Sequence, residues 1–165
     1  MLQQWRGAAI LSALMAGLCI TARPALGLDE DEIPLATVPS AVRLAAAKAV
    51  PDAKWAKAFK STEDDETIYE LTGSDSKGRE IEVELTPAGK VLEIETGLPI
   101  ADVPQLVRDV LGARAKGIKI DRARAVTQDG KVVAYSFDGR NAKDQSVEVR
   151  VSTDGKAVEI EVDDD

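Results

Sequence analysis

"TPAGKVLEIE" (Thr86–Glu95) and "STDGKAVEIE" (Ser152–Glu161) are one phrase written twice, and the repetition decides the fold. Gly89 matches Gly155, Lys90 matches Lys156, Glu93 matches Glu159 and Ile94 matches Ile160, an offset of 155 − 89 = 66 residues. Each copy reads as a strand end, a tight glycine turn and a new strand. Just before the first copy, "REIEVEL" alternates Ile81, Val83 and Leu85 with Glu80, Glu82 and Glu84. That period of two predicts a half-buried antiparallel strand with an acidic outer face.

Further upstream the period changes. Val38, Ala41, Val42, Ala45 and Ala49 recur at three and four residues, which predicts a helix starting near Thr37, with Pro39 in its first turn, and stopping before Pro51. Strand-like runs follow at Lys54–Lys60, Thr67–Thr72, Arg79–Thr86 and Lys90–Thr96, parted by "TEDDE", "SDSKG" and "PAG". After the joint "TGLPIADVP" the order repeats. Asp102 and Gln105 suggest a capping-box start, Val103, Leu106, Val107, Val110 and Leu111 form an apolar face, and strands are predicted at Gly117–Val126, Lys131–Asp138, Gln145–Val151 and Lys156–Val162.

The helices match at offset 65 (Val38/Val103, Pro39/Pro104, Val42/Val107, Arg43/Arg108), whereas Tyr69/Tyr135, Val83/Val149 and Leu85/Val151 match at 66. One residue has therefore been gained between the helix and the second strand, in a loop or as a bulge. The prediction is an α+β fold of two tandem α-β-β-β-β repeats. A unit this small is marginal alone, so one continuous antiparallel sheet of up to eight strands is expected, with both helices on one face. The thin helix face (Ala41, Ala45, Ala49) and the bulky one (Leu106, Val110, Leu111) suggest packing that needs both copies.

The N-terminus reads as an export signal over residues 1–27. Arg6 precedes an uncharged stretch from Gly7 to Ile20, and Pro24, Ala25 and Gly27 provide a small-residue cleavage site. Residues 28–36 form an acidic lead-in expected to be loosely ordered; the repeats are placed at 37–97 and 98–165. The stretch before Arg23 is too short for a membrane span of about 20 residues, so no membrane association is expected after cleavage, and a bacterial-type periplasmic or secreted location is. Removing Arg6 and Arg23 takes the net charge from −8 to −8 − 2 = −10, and Cys19 leaves with them. The chain has no histidine. Disulfides, His/Cys zinc sites and Ser-His-Asp or Cys-His nucleophiles are excluded from the mature chain. The acidic balance argues against nucleic acid.

The pattern resembles PepSY-like domains, specifically the exported group related in fold to the β-lactamase-inhibitor protein. Each copy has V-P-x-x-V-R at its helix, a central Tyr ("IYEL", "AYSF") and the closing G-K hairpin. The resemblance covers most of residues 36–163. It implies an exported, non-catalytic module that binds or restrains an enzyme such as a peptidase, with no cofactor and no catalytic residue.

Three groups of residues invite a functional reading. Glu80, Glu82, Glu84, Glu93 and Glu95 share one predicted sheet face; paired carboxylates can serve glycosidase chemistry, but alternating exposed positions offer no burial to raise a pKa. A solvated face for binding another exported or envelope protein is the preferred reading. Glu63, Asp64, Asp65 and Glu66 could supply oxygens to calcium, the alternative function, although the D-x-D-x-D-G spacing is absent. Trp55, Lys57 and Phe59 fall on one side of a strand and form either core, with a bulge turning Lys57 out, or a partner-binding stripe. Ile118 and Ile120, aligned with Trp55 and Phe59, favour core. Tyr69 and Tyr135 are expected to pack on the sheet.

Overall fold

The computed structural model describes residues 31–63 and 66–162; the expected export signal, Asp64 and Asp65 lie outside them. Among the described residues, nine strands form one open antiparallel sheet: β1 (Asp31–Ile33), β2 (Lys54–Glu63), β3 (Glu66–Ser74), β4 (Glu80–Leu85), β5 (Val91–Gly97), β6 (Lys119–Gln128), β7 (Lys131–Arg140), β8 (Ser146–Ser152) and β9 (Val158–Val162). Helix α1 (Ser40–Ala49) precedes β2 and α2 (Gln105–Arg114) precedes β6. Each strand pairs with its neighbour in the chain, and β5 joins β6 to fuse the repeats (Glu95↔Val126, Gly97↔Arg124). The α+β duplication and the merged sheet are as expected.

The ninth strand comes from the segment read as a loose lead-in. Ile33 lies opposite Ala58, and 3-10 turns at Leu35–Thr37 and Ile100–Asp102 precede the two helices. Pro34-Leu35-Ala36 therefore repeats Pro99-Ile100-Ala101 at offset 65. The helices begin later than predicted, at Ser40 and Gln105, after the extended prolines Pro39 and Pro104. No capping box forms. Asp102 sits in the 3-10 turn, and the Gln105 amide donates instead to Asp109 at 2.6 Å.

The inserted residue is Val133. Val126 pairs with Ala134 but Thr127 pairs with Val132, so β7 carries a bulge beside its hairpin. A pair of bulges also sits at equivalent places, between Trp55 and Lys57 and between Ile120 and Arg122. Opposite them lie Gly73 and Gly139, where an added Cβ would come within 2.2 Å of the carbonyl oxygens of Lys54 and Lys119. The register thus aligns Trp55 with Ile120 and Phe59 with Arg124, which replaces the pairing with Ile118 and Ile120.

The hairpin glycines that opened the reading have two causes. Gly89 and Gly155 hold φ of +82° and +70°, and each turn abuts its own helix. A Cβ on Gly89 would stand 2.7 Å from the Ala41 carbonyl oxygen, and one on Gly155 would stand 3.1 Å from Val110. Thin and bulky helix faces therefore fit their own turns, not each other. Two clusters share one side of the sheet: Val38, Val42 and Ala46 over Leu71, Val83 and Leu85, and Val103, Val107 and Leu111 over Phe137, Val149 and Val151. Tyr69 and Tyr135 pack against them.

Candidate protein-binding face

Among the described residues, the other side of the sheet carries no helix. Strand alternation sends to it Lys57 and Phe59 from β2, Glu70 from β3, Glu80, Glu82 and Glu84 from β4, and Glu93 and Glu95 from β5. Repeat 2 adds Arg122, Arg124, Asp138, Glu148, Arg150, Glu159 and Glu161. The predicted acidic face exists, but it is not uniformly solvated. Glu93 and Glu95 are only 2% and 4% exposed, and Arg124 and Arg150 only 8% and 4%.

Their burial comes from one another. Arg150 on β8 bonds both Glu93 and Glu95 on β5. In a flat sheet those strands would stand about 14 Å apart, so the guanidinium lies down across β7 and β6. The side chains beneath are small enough to admit it: Val126, Ala134 and Ser136, all fully buried. Bulges increase local twist and bend the strands, which shortens the crossing. Arg124 meets Glu95 at 2.7 Å, Asp138 at 2.8 Å and Glu82 at 3.5 Å. Gln128 donates to Glu93 at 2.9 Å. Toward solvent, Arg122 bridges Asp138 at 3.1 Å and Glu80 at 3.3 Å.

Burial pushes the Glu93 carboxyl up to about 7, with Arg150 pulling it down and Glu95 pushing it further up. The source of pKa tuning that strand alternation alone did not offer is therefore present. Burial also raises Asp138, against the pull of Arg124 and Arg122. For Arg124 and Arg150, burial works against the charged form, but the carboxylates around them outweigh it and raise both.

The sequence candidates divide accordingly. Glu80 is exposed, Glu82 and Glu84 are half-buried, and Glu93 and Glu95 are structural groups rather than contact residues in this arrangement. The bulge splits the aromatic stripe. Trp55 packs into the α1 cluster, while Lys57 and Phe59 turn to the open face, where the ammonium lies 5.8 Å from the ring centroid and pairs with Glu32 at 3.0 Å. Of the proposed calcium ligands, Asp64, Asp65 and the Glu63 side chain lie outside the described residues, and Glu66 is exposed. The sheet instead gathers Glu70, Glu82 and Glu84, each with a carboxylate oxygen within 4.8 Å of the others. Sequence reading missed this trio because Glu70 comes from a different strand. It missed Arg124 and Arg150 as organisers because their partners lie up to 57 residues away.

No family model and no curated protein matches the chain. Solved structures do. A BLIP-like protein from Bacteroides fragilis is 20% identical, with a TM-score of 0.55 over 77% of this chain and 89% of that one. A DUF2874-family protein from Bacteroides ovatus gives 15% identity and a TM-score of 0.58 over 76% and 88%. One from Bacteroides uniformis gives 15% and 0.57 over 75% and 88%. At these identities the likeness is one of fold. No helix among the described residues is long and apolar enough to cross a membrane.

Proposed function

We propose that this chain is an exported, non-catalytic binding module of the tandem PepSY-like kind, whose helix-free sheet face docks on another exported or envelope protein. The observation that carries the reading is the organisation of that face. Buried Arg124 and Arg150 hold its floor rigid, while Glu80, Arg122, Lys57 and Phe59 stand around it with charged or aromatic ends toward solvent. Preorganised charge of mixed sign favours specific, steered association. The fold likeness to a BLIP-like protein is in keeping with restraint of an enzyme as the outcome of binding; a peptidase is the kind of enzyme that the PepSY-like resemblance implies.

Immobilised chain exposed to envelope extract at low salt, where charge steering is strongest, should retain a protein. A Glu80→Lys/Lys57→Glu variant should lose it, and a Leu44→Ser variant on the helix side should not. Retention that ignores the face, or no retention at all, would sink the reading.

The grouping of Glu70, Glu82 and Glu84 favours a second reading, envelope divalent-cation binding, in place of the Glu63–Glu66 hairpin. Hard cations take carboxylate oxygens, and extracellular calcium sites work at about 10⁻⁴–10⁻³ M. Calorimetry with millimolar calcium should give heat that Glu82→Gln abolishes; an unchanged thermogram and melting curve would end it.

A further inference from the structure

Strand β9 lies on β8 as β5 lies on β4. Arg150↔Glu159, Val149↔Ile160, Glu148↔Glu161 and Val147↔Val162 repeat Glu84↔Glu93, Val83↔Ile94, Glu82↔Glu95 and Ile81↔Thr96 at offset 66. The outer edge of β5 accepts β6, which brings the Arg124 guanidinium within 2.7 Å of Glu95. β9 presents the same edge, and among the described residues it ends the sheet. Val158–Val162 has no proline, no lysine and no bulge against β8; of the devices that blunt an edge it keeps its short length and the charges of Glu159 and Glu161, which select an oppositely charged partner. Ile160 is 43% exposed, whereas its counterpart Ile94, flanked by β6, is half-buried. The opposite end of the sheet is different, because β1 already covers β2.

We propose that the outer edge of β9 takes an additional antiparallel strand from another protein, an extended segment carrying an arginine toward Glu159 and Glu161 as β6 carries Arg124 toward Glu95. Backbone pairing along an open edge supplies affinity, and the charged side chain supplies choice of partner. A second copy of the chain is disfavoured at this edge. Two-fold pairing of β9 with itself would set glutamate against glutamate across the strands, which is destabilising. The proposal uses the edge of the sheet rather than its open face and stands separately from the face reading.

The probe is a synthetic peptide, KIDRARAVTQ, with the sequence of Lys119–Gln128, the strand that fills the equivalent place in repeat 1. The control has both arginines replaced by glutamate. Titrated into the intact, isotope-labelled chain, the arginine peptide should shift backbone amides centred on Val158–Val162. The control should bind at least about tenfold more weakly, the worth of one charge-assisted pair. Glu161→Arg should reverse the preference. Equal binding of both peptides, no shift in β9 at millimolar peptide, or shifts centred on β3 and β4 would overturn the proposal. So would a concentration-dependent doubling of mass with amide shifts centred on Val158–Val162 in the absence of peptide, since a second copy would then be the occupant. The peptide comparison needs no variant, so it remains decisive even if Glu161→Arg fails to fold.

Discussion

Arg150 reaches across two strands to two carboxylates, and all three groups are nearly out of water. Removing one member of such a set leaves the others desolvated and unpaired, which costs far more than the pair contributes. Arg150→Met should therefore lower unfolding stability by about 3–5 kcal/mol in urea denaturation. Adding Glu93→Gln and Glu95→Gln to it should recover a large part. An unchanged midpoint for Arg150→Met would mean the cluster carries no structural weight. Glycines give a paired test. Gly139→Ala would drive a Cβ into the Lys119 carbonyl and should cost about 1–3 kcal/mol. Gly112→Ala, in α2 with nothing within 4 Å, should gain about 0.5–1 kcal/mol by helix propensity. Thermal melts of both variants separate close approach from a general intolerance of change.

At the scale of the element, β5 shows what pattern can and cannot tell. "VLEIETG" announced a strand, and its acids were placed on the correct face. Their burial was not legible, because it depends on arginines from β6 and β8 whose reach follows from bulges and from the small residues at Val126, Ala134 and Ser136. β2 failed differently: a bulge after Trp55 reversed the facing of Lys57 and Phe59, and no residue there signals it except Gly73 on the neighbouring strand. The glycine hairpins at Gly89 and Gly155 were readable, since turn chemistry is local, whereas β2 runs three residues past the predicted Lys60. Even "SDSKGR" and "RNAKDQ" share one device, with Asp75 and Asn141 each accepting two backbone N–H groups of their own turn.

The burial of Glu93 also sets a pH dependence. Its carboxyl is raised from 4.5 to about 7, so the folded chain holds this proton more tightly than the unfolded one. That contribution to stability is fully present below about 4.5 and is lost as pH rises through about 7. The melting temperature should fall between pH 5.5 and 8, and Glu93→Gln should flatten the slope. Asp154 works the other way. The Ser152 hydroxyl and the Lys156 N–H hold it down to about 2, so its contribution is present above 3.8 and fades only as pH falls through about 2. The two windows do not overlap.

For the whole molecule, the ion cluster and the β5–β6 ladder both cross the joint between repeats. Residues 31–97 and 98–162 expressed apart would each expose a strand edge and strand half of the buried charges. Both halves are expected to be molten or aggregated, while the intact chain unfolds in one calorimetric transition. Two independent transitions would show separate domains.

The order β1 to β9 along the sheet is also the order along the chain, and this has a kinetic consequence. No strand waits for a distant partner, so folding can proceed hairpin by hairpin from the N-terminal end as the polypeptide emerges. Local topologies of this kind cross lower entropic barriers than sandwiches of similar size. The Arg150–Glu93 link, spanning 57 residues, can close only after β8 has joined. Stopped-flow refolding followed by Trp55 fluorescence tests when that link forms. Arg150→Met should then leave the refolding rate nearly unchanged and speed unfolding instead, as expected of an interaction absent from the transition state.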